Sequence, residues 1–265
     1  MESASSDALF LTSNSILIHM KYPAAFVIIL VSHLPSFSQQ PGVYAQLEKQ
    51  YNTENYDACV QMTKQVEAFT KNRLDTLVAN SFFYLADAYN QTGDLKKALH
   101  YFELEKQTLQ ALGLSRTTDF SNSLNNLAYL YLQDGNYRKA GAIADELLAN
   151  DRLLFGPTDQ EYVTSVLDVA DIYIQLDRIK DAEALLGGTL RQQPKNTINR
   201  GLLLNKIGDL YSYNGQYSRA LRSLMEALDV QGELVGEESP EYINAAINLG
   251  ILFMNQGKYP EAEEI

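Results

Sequence analysis

The chain has 265 residues, 46% of them apolar and 20% charged, with 33 acids against 21 bases and a net charge of −12. That composition excludes a disordered polyampholyte and a polytopic membrane protein, and its negative charge disfavours a phosphate backbone, so no nucleic-acid partner is expected. One cysteine, Cys59, rules out an intrachain disulfide, and His100 is the only histidine beyond His19 and His33, so neither a His-rich metal site nor a His-based triad is expected.

Residues 1–38 read as an N-terminal extension plus an export signal. Lys21 precedes an unbroken apolar run from Ala24 to Val31. Ser36-Phe37-Ser38 then places small residues at −3 and −1 of a cut before Gln39. The run is shorter than the roughly 20 apolar residues a spanning helix needs. Gln39, rather than a cysteine, follows the cut, so lipoprotein processing is not indicated. Glu2 and Asp7 stand where a leader should be basic, which makes Met20 the expected start of translation. The segment resembles bacterial signal peptides, those of the Bacteroidetes in particular. It implies an exported, periplasmic or cell-envelope protein.

Beyond residue 38 the chain repeats. Gly93, Gly135, Asp177, Gly215 and Gly257 are separated by 42, 42, 38 and 42 residues. Five residues after each comes Ala98, Ala140, Ala182, Ala220 or Ala262, and four before each comes Tyr89, Tyr131, Tyr173, Tyr211 or Phe253. With the turn residue numbered 15, apolar residues at 4, 7, 8 and 11 form one helical stripe and those at 17, 20, 24 and 27 a second. Each unit is therefore a predicted helix–turn–helix hairpin, its glycine free to take positive φ. Small residues at 8 and 20 mark a close helix crossing, and aromatic residues at 11 and 17 are expected to fill the gap between hairpins.

The units run 79–120, 121–162, 163–200, 201–242 and 243–265, after a degenerate first copy or cap at 39–78. The turn of that first copy, Asn52 to Asn55, reads one residue short and puts Cys59 near the small position. Gly187-Gly188, in the 38-residue unit, reads as a kink or an early helix end. The sequence stops inside the second helix of the last unit. That predicts a longer natural product and leaves Leu249, Leu252, Phe253 and Tyr259 without a packing neighbour.

This pattern resembles the tetratricopeptide repeat (TPR), whose small residues at 8 and 20, aromatics at 11 and 17 and Gly at 15 are all present. The 42-residue spacing is similar to the kinesin-light-chain variant, with its longer second helix. Trp at position 4 is replaced by Phe82, Leu124, Val166, Leu204 and Ala246, and the usual Pro at 32 is missing. The resemblance implies an all-α, right-handed superhelical solenoid of stacked hairpins. It also implies a concave groove, lined by first-helix positions 2, 5, 9, 12 and 13, that binds a protein or peptide.

Near the centre of that groove the candidate residues are Asn122, Asn125, Asp171, Asn205 and Asp209. The amides offer paired donors and acceptors to a peptide backbone, and the carboxylates favour a neutral or basic segment. No Lys or Arg falls at these positions, which disfavours the cationic clamp of chaperone-binding relatives. No phosphate loop, dinucleotide turn or zinc-protease motif occurs, so catalytic residues, cofactors and metals are not expected in this stretch. The expected function is an exported interaction scaffold. The alternative is the N-terminal regulatory array of a larger protein carrying a CHAT-type caspase-like protease or a histidine kinase.

Overall fold

The computed structural model describes residues 42–265. The proposed export signal lies outside them. Thirteen helices follow one another among the described residues, with no strand. The first three are α1 (Gly42–Asn52), α2 (Tyr56–Gln61) and α3 (Thr63–Thr70). Five pairs follow: α4 (Thr76–Gln91) with α5 (Leu95–Ala111), α6 (Thr118–Gln133) with α7 (Tyr137–Leu154), and α8 (Gln160–Gln175) with α9 (Ile179–Leu190). The last two are α10 (Ile198–Tyr213) with α11 (Tyr217–Val235), and α12 (Pro240–Asn255) with α13 (Tyr259–Glu263).

Local chemistry sets both ends of these helices. Each first helix from α4 onward has 16 residues and opens on an N-cap whose side chain accepts a backbone N–H: Asp75, Thr117, Asp159, Thr197 and Ser239. Between the members of each pair, the position-15 residues Gly93, Gly135, Asp177, Gly215 and Gly257 all take positive φ, from +58° to +86°. Glu54 does the same at +56°, followed by the N-cap Asn55. The first-copy turn therefore has the length of the others. Cys59 lies at the small position itself and is fully buried. Second helices of 17, 18 and 19 residues occur in the 42-residue units, against 12 for α9. Gly187 and Gly188 stay helical inside α9, which ends at Leu190.

The small residues sit where the helices cross. Ala86, Ala128 and Ala170 at position 8 and Ala98, Ala140, Ala182 and Ala220 at position 20 are fully buried. At Gly208 the approach is closer still: a Cβ there would lie 2.5 Å from Leu224 Cγ. The aromatic positions divide. Tyr89, Tyr131 and Tyr173, at position 11, are 3–6% exposed, whereas Tyr137, Tyr217 and Tyr259, at position 17, are 60%, 38% and 64% exposed. Position 17 is the first residue of its helix: Tyr56, Leu95 and Ile179 are half-buried there against the core, whereas Tyr137, Tyr217 and Tyr259 open to solvent, so position 11 fills the gap consistently and position 17 only in some repeats.

The backbones of successive first helices approach one another closely at four junctions (α1 with α4, α6 with α8, α8 with α10, α10 with α12), while successive second helices stand farther apart and meet through long side chains, Lys106 of α5 with Glu146 of α7 at 2.6 Å and Arg219 of α11 with Glu183 of α9 at 2.9 Å. The array therefore curves with the first helices on its inner, concave side. Each position-11 tyrosine also ties its repeat to the preceding second helix. Tyr131 donates its hydroxyl to Glu103, Tyr173 to Asp145 Oδ1 at 2.5 Å and Tyr211 to Glu183 Oε1 at 3.0 Å. A cation from the same hairpin covers each ring: Lys139, Arg178 and Arg219 lie 4.6, 4.0 and 3.9 Å from the respective centroids. In the last pair Phe253 has no hydroxyl, and the residue 28 places earlier is Met225 rather than an acid.

Leu249 and Leu252 are buried against Ala220 and Leu224 of α11, contrary to the expectation that they lack a neighbour. No described helix is long and apolar enough to cross a membrane. His100 is exposed.

Candidate functional site on the concave face

Positions 5, 6 and 9 of the first helices meet where neighbouring repeats adjoin. Asn125 of α6 donates Nδ2 to Asp168 Oδ2 of α8 at 3.1 Å. Lys206 of α10 donates Nζ to both carboxylate oxygens of Asp171, at 2.9 and 2.8 Å. Asn248 of α12 donates Nδ2 to Asn205 Oδ1 at 2.9 Å. Asp168 and Asp171 are three residues apart on α8, as Lys206 and Asp209 are on α10, so each pair shares a helix face. Three carboxylates and one ammonium thus occupy the middle of the inner layer.

The surroundings of Asp168 and Asp209 disfavour ionisation. Burial pushes the Asp168 carboxyl up from its ordinary 3.8 to about 6; the Asn125 bond opposes the shift and the Asp171 charge adds to it. Asp209 opens to solvent, yet the protein around it displaces water and raises its carboxyl, with Lys206 opposing. Asn125 Oδ1 is buried with no hydrogen-bond partner.

Chemistry grades along the concave face. At its start Tyr44, Tyr51, Phe83 and Tyr84 cluster, the rings of Tyr51 and Tyr84 being 4.6 Å apart. Tyr51 donates its hydroxyl to Asp87 Oδ2 at 2.8 Å. Amides and carboxylates fill the middle. At the far side α12 exposes Ile247, Ile251 and Met254 at 53%, 41% and 50%. Among the described residues no group of three or more His, Cys, Asp or Glu side chains is placed to hold a metal ion.

A family model described as tetratricopeptide repeat matches residues 119–192 and 199–265, more than half of the chain. The chain belongs to the tetratricopeptide repeat family. BtubC (BKLC) from P. vanneervenii has a similar structure, with a TM-score of 0.57 and 22% identity over 82% of this chain and 87% of that one. The nearly identical TPR-like repeats of a protein described as a kinesin light chain from Podosopora anserina give 0.56 and 20%, over 70% and 89%. At such identities these likenesses establish the TPR fold alone, a fold consistent with a protein-interaction scaffold. No curated protein matches the chain.

Within this TPR frame the five sequence-derived groove residues have different surroundings. Asn122 is exposed on α6. Asn125 and Asn205 each have one amide group engaged across a repeat boundary, so neither offers a peptide the full donor–acceptor pair. Asp171 is held by Lys206, and Asp209 stands beside them on α10. The sequence register had set no cation in the groove; Lys206 supplies one.

Sequence reasoning missed Asp168, Lys206 and Tyr84 because all three occupy position 6, which was left out of the groove set. The available signal was helical geometry. Position 6 lies three residues before position 9 and shares its face.

Proposed function

We propose that this protein is an exported TPR scaffold that holds a neutral or basic segment of a protein partner along its concave face. The observation carrying this reading is the Asp168, Asp171, Lys206 and Asp209 group, where three acids meet one base midway along the inner layer. Only Asp171 is directly ion-paired by Lys206. A Lys or Arg side chain lying between α8 and α10 would therefore meet unneutralised carboxylates, and an acidic segment would be repelled. Asn122, exposed on α6, is a nearby polar group suited to a peptide backbone. The net charge of −12 makes the same surface a poor match for nucleic acid.

Export rests on Lys21, the Ala24–Val31 run and Ser36-Phe37-Ser38. N-terminal sequencing of the protein recovered from the periplasm should begin at Gln39, and a chain retaining residues 24–31 would overturn export. The binding reading is tested by display selection of random peptides on the folded protein. Enrichment of Lys- or Arg-containing sequences is expected, with affinity falling about two- to tenfold for Asp209→Asn. Enrichment of acidic peptides, or of basic ones that bind Asp171→Asn/Asp209→Asn unchanged, would overturn it.

A further inference from the structure

Tyrosine and carboxylate pair repeatedly in this chain, and a cation completes the pairs. Tyr131, Tyr173 and Tyr211 donate to Glu103, Asp145 and Glu183, and Lys139, Arg178 and Arg219 cover their rings at 4.6, 4.0 and 3.9 Å. Tyr101 donates to Glu67 and stacks at 5.6 Å on Tyr89, whose ring Lys97 covers at 4.7 Å. The reason is common to all of them: the negative face of the ring and the carboxylate both attract positive charge.

The same two groups stand at the start of the concave face, where α1 meets α4. Glu48 Oε1 accepts from the hydroxyls of Tyr44 and Tyr84 at 3.1 and 3.4 Å, and Asp87 Oδ2 accepts from Tyr51 at 2.8 Å. The Tyr51 and Tyr84 rings lie 4.6 Å apart, with Phe83 edge-on to Tyr51 at 5.9 Å. Burial raises the Tyr51 and Tyr84 hydroxyls well above their ordinary range, so they stay donors to the two carboxylates. Here the chain supplies no cation. Among the described residues no Lys or Arg pairs with Glu48 or Asp87, and none covers the ring of Tyr44, Tyr51 or Tyr84.

A second junction of the inner layer shows what this one takes. Between α8 and α10 the acid at position 9, Asp171, meets Lys206 at position 6 of the next first helix. Between α1 and α4 the acid at position 9, Glu48, meets Tyr84 at position 6. The central junction neutralises its acid from within, and the first junction leaves that to a ligand. Glu48, Tyr51, Phe83, Tyr84 and Asp87 are all half-buried, so each keeps contact with solvent. Glu48 Oε2 takes no part in the tyrosine bonds and remains an acceptor.

We infer that the α1–α4 junction is a subsite for one arginine side chain of the bound partner, its guanidinium set against the Tyr51 and Tyr84 rings and donating to Glu48 and Asp87. Arginine fits better than lysine because a flat cation stacks on an aromatic face while its fork of donors matches a carboxylate. Within this chain, too, the arginines that cover tyrosines lie closer to the ring than the lysines do. The inference rests on the reading that the concave face holds a basic segment, and it gives that segment an anchor at the start of the array in addition to the Asp168–Asp171–Asp209 group.

The test is an NMR titration of the ¹⁵N-labelled full chain with N-acetylarginine amide and with its uncharged counterpart N-acetylcitrulline amide, to about 20 mM, a range that brackets millimolar binding. Wild type is compared with Glu48→Gln/Asp87→Asn, whose side-chain oxygens still accept the tyrosine hydroxyls. The control, Glu237→Gln/Glu238→Gln, removes two charges from the exposed α11–α12 turn. All are checked for equal helicity by circular dichroism. Saturable shifts of the Glu48, Tyr84 and Asp87 amides are expected with the arginine compound. Affinity should be at least about tenfold weaker for the citrulline compound, at least about fivefold weaker in Glu48→Gln/Asp87→Asn, and unchanged in the control. No saturable shift at these amides, or equal affinity in Glu48→Gln/Asp87→Asn, would overturn the subsite. Shifts confined to the Asp171 and Asp209 amides would overturn it and leave the concave-face reading standing, whereas shifts confined to the second helices would overturn both.

Discussion

Replacing Asp168 with Asn should make the protein more stable and a weaker binder of basic ligands. The Asn oxygen keeps the acceptor that Asn125 Nδ2 uses at 3.1 Å, so the seam between α6 and α8 loses no hydrogen bond. What changes is the charge. The Asp168 carboxyl titrates at about 6 in the folded chain against an ordinary 3.8, chiefly because it is buried. An acid whose folded pKa is raised contributes full stability below the unfolded value and loses it as pH climbs through the folded value. Its ionisation therefore lowers stability progressively between about pH 4 and pH 6 and leaves a constant deficit at pH 7. Two pKa units correspond to a ceiling near 3 kcal/mol, which partial solvent access reduces to about 1–3 kcal/mol. For a domain of this size each kcal/mol moves the melting temperature by about 2–4 °C. Thermal melts of wild type and Asp168→Asn from pH 4 to pH 8 measure this. The variant should melt several degrees higher at pH 7.5, converge with wild type near pH 4, and bind a basic peptide less tightly. Equal melting temperatures at pH 7.5, or an unchanged pH slope, would refute the assignment of Asp168 as a buried, destabilising acid.

Other substitutions probe the packing. Ala140→Leu, at a fully buried helix crossing, should destabilise by roughly 1–3 kcal/mol in denaturant titration. Gly208→Ala should also destabilise, by about 1–3 kcal/mol, because its Cβ would overlap Leu224. Gly187→Ala should instead stabilise by about 0.5–1 kcal/mol, since its Cβ would meet only Arg191 at an ordinary 3.7 Å inside α9. Tyr173→Phe should cost about 1 kcal/mol by removing the hydroxyl that Asp145 accepts, with a Tyr211→Phe variant of similar size.

The hairpins were legible in the sequence because their determinants are local and periodic. A left-handed turn residue and two small residues at crossings recur every 42 or 38 residues, and each answers a steric demand that few residue types meet. Tyr137 and Tyr217 defeated the same reasoning. Their spacing matches that of Tyr56, Leu95 and Ile179, which are half-buried at position 17, and periodicity does not report which repeats bury that position. Glu54 hid the first-copy turn, because glutamate, unlike the aspartate at position 177, rarely takes positive φ and the position did not announce itself.

The groove was less legible than the fold. Asn125 and Asn205 sit at groove positions, yet each spends an amide group on the neighbouring repeat, and those partners lie 43 residues away. Lys206 reaches Asp171 across 35 residues. Such pairings depend on how one repeat stacks on the next, which a single unit of the pattern does not encode. Ile247 and Ile251 were visible as groove residues, but their exposure followed only once α12 was seen without a covering helix.

The account rests on the concave face as the binding surface, and site-specific photo-crosslinking tests that most directly. A photoreactive phenylalanine analogue would be placed at Asn122, exposed on the inner helix α6, and separately at Arg222, exposed on the second helix α11. Each variant would be irradiated with a selected basic peptide at equal occupancy. Crosslinking from position 122, suppressed by Asp171→Asn/Asp209→Asn and absent from position 222, is the predicted result. Crosslinking from position 222 with none from position 122 would place the ligand on the convex side and contradict the account.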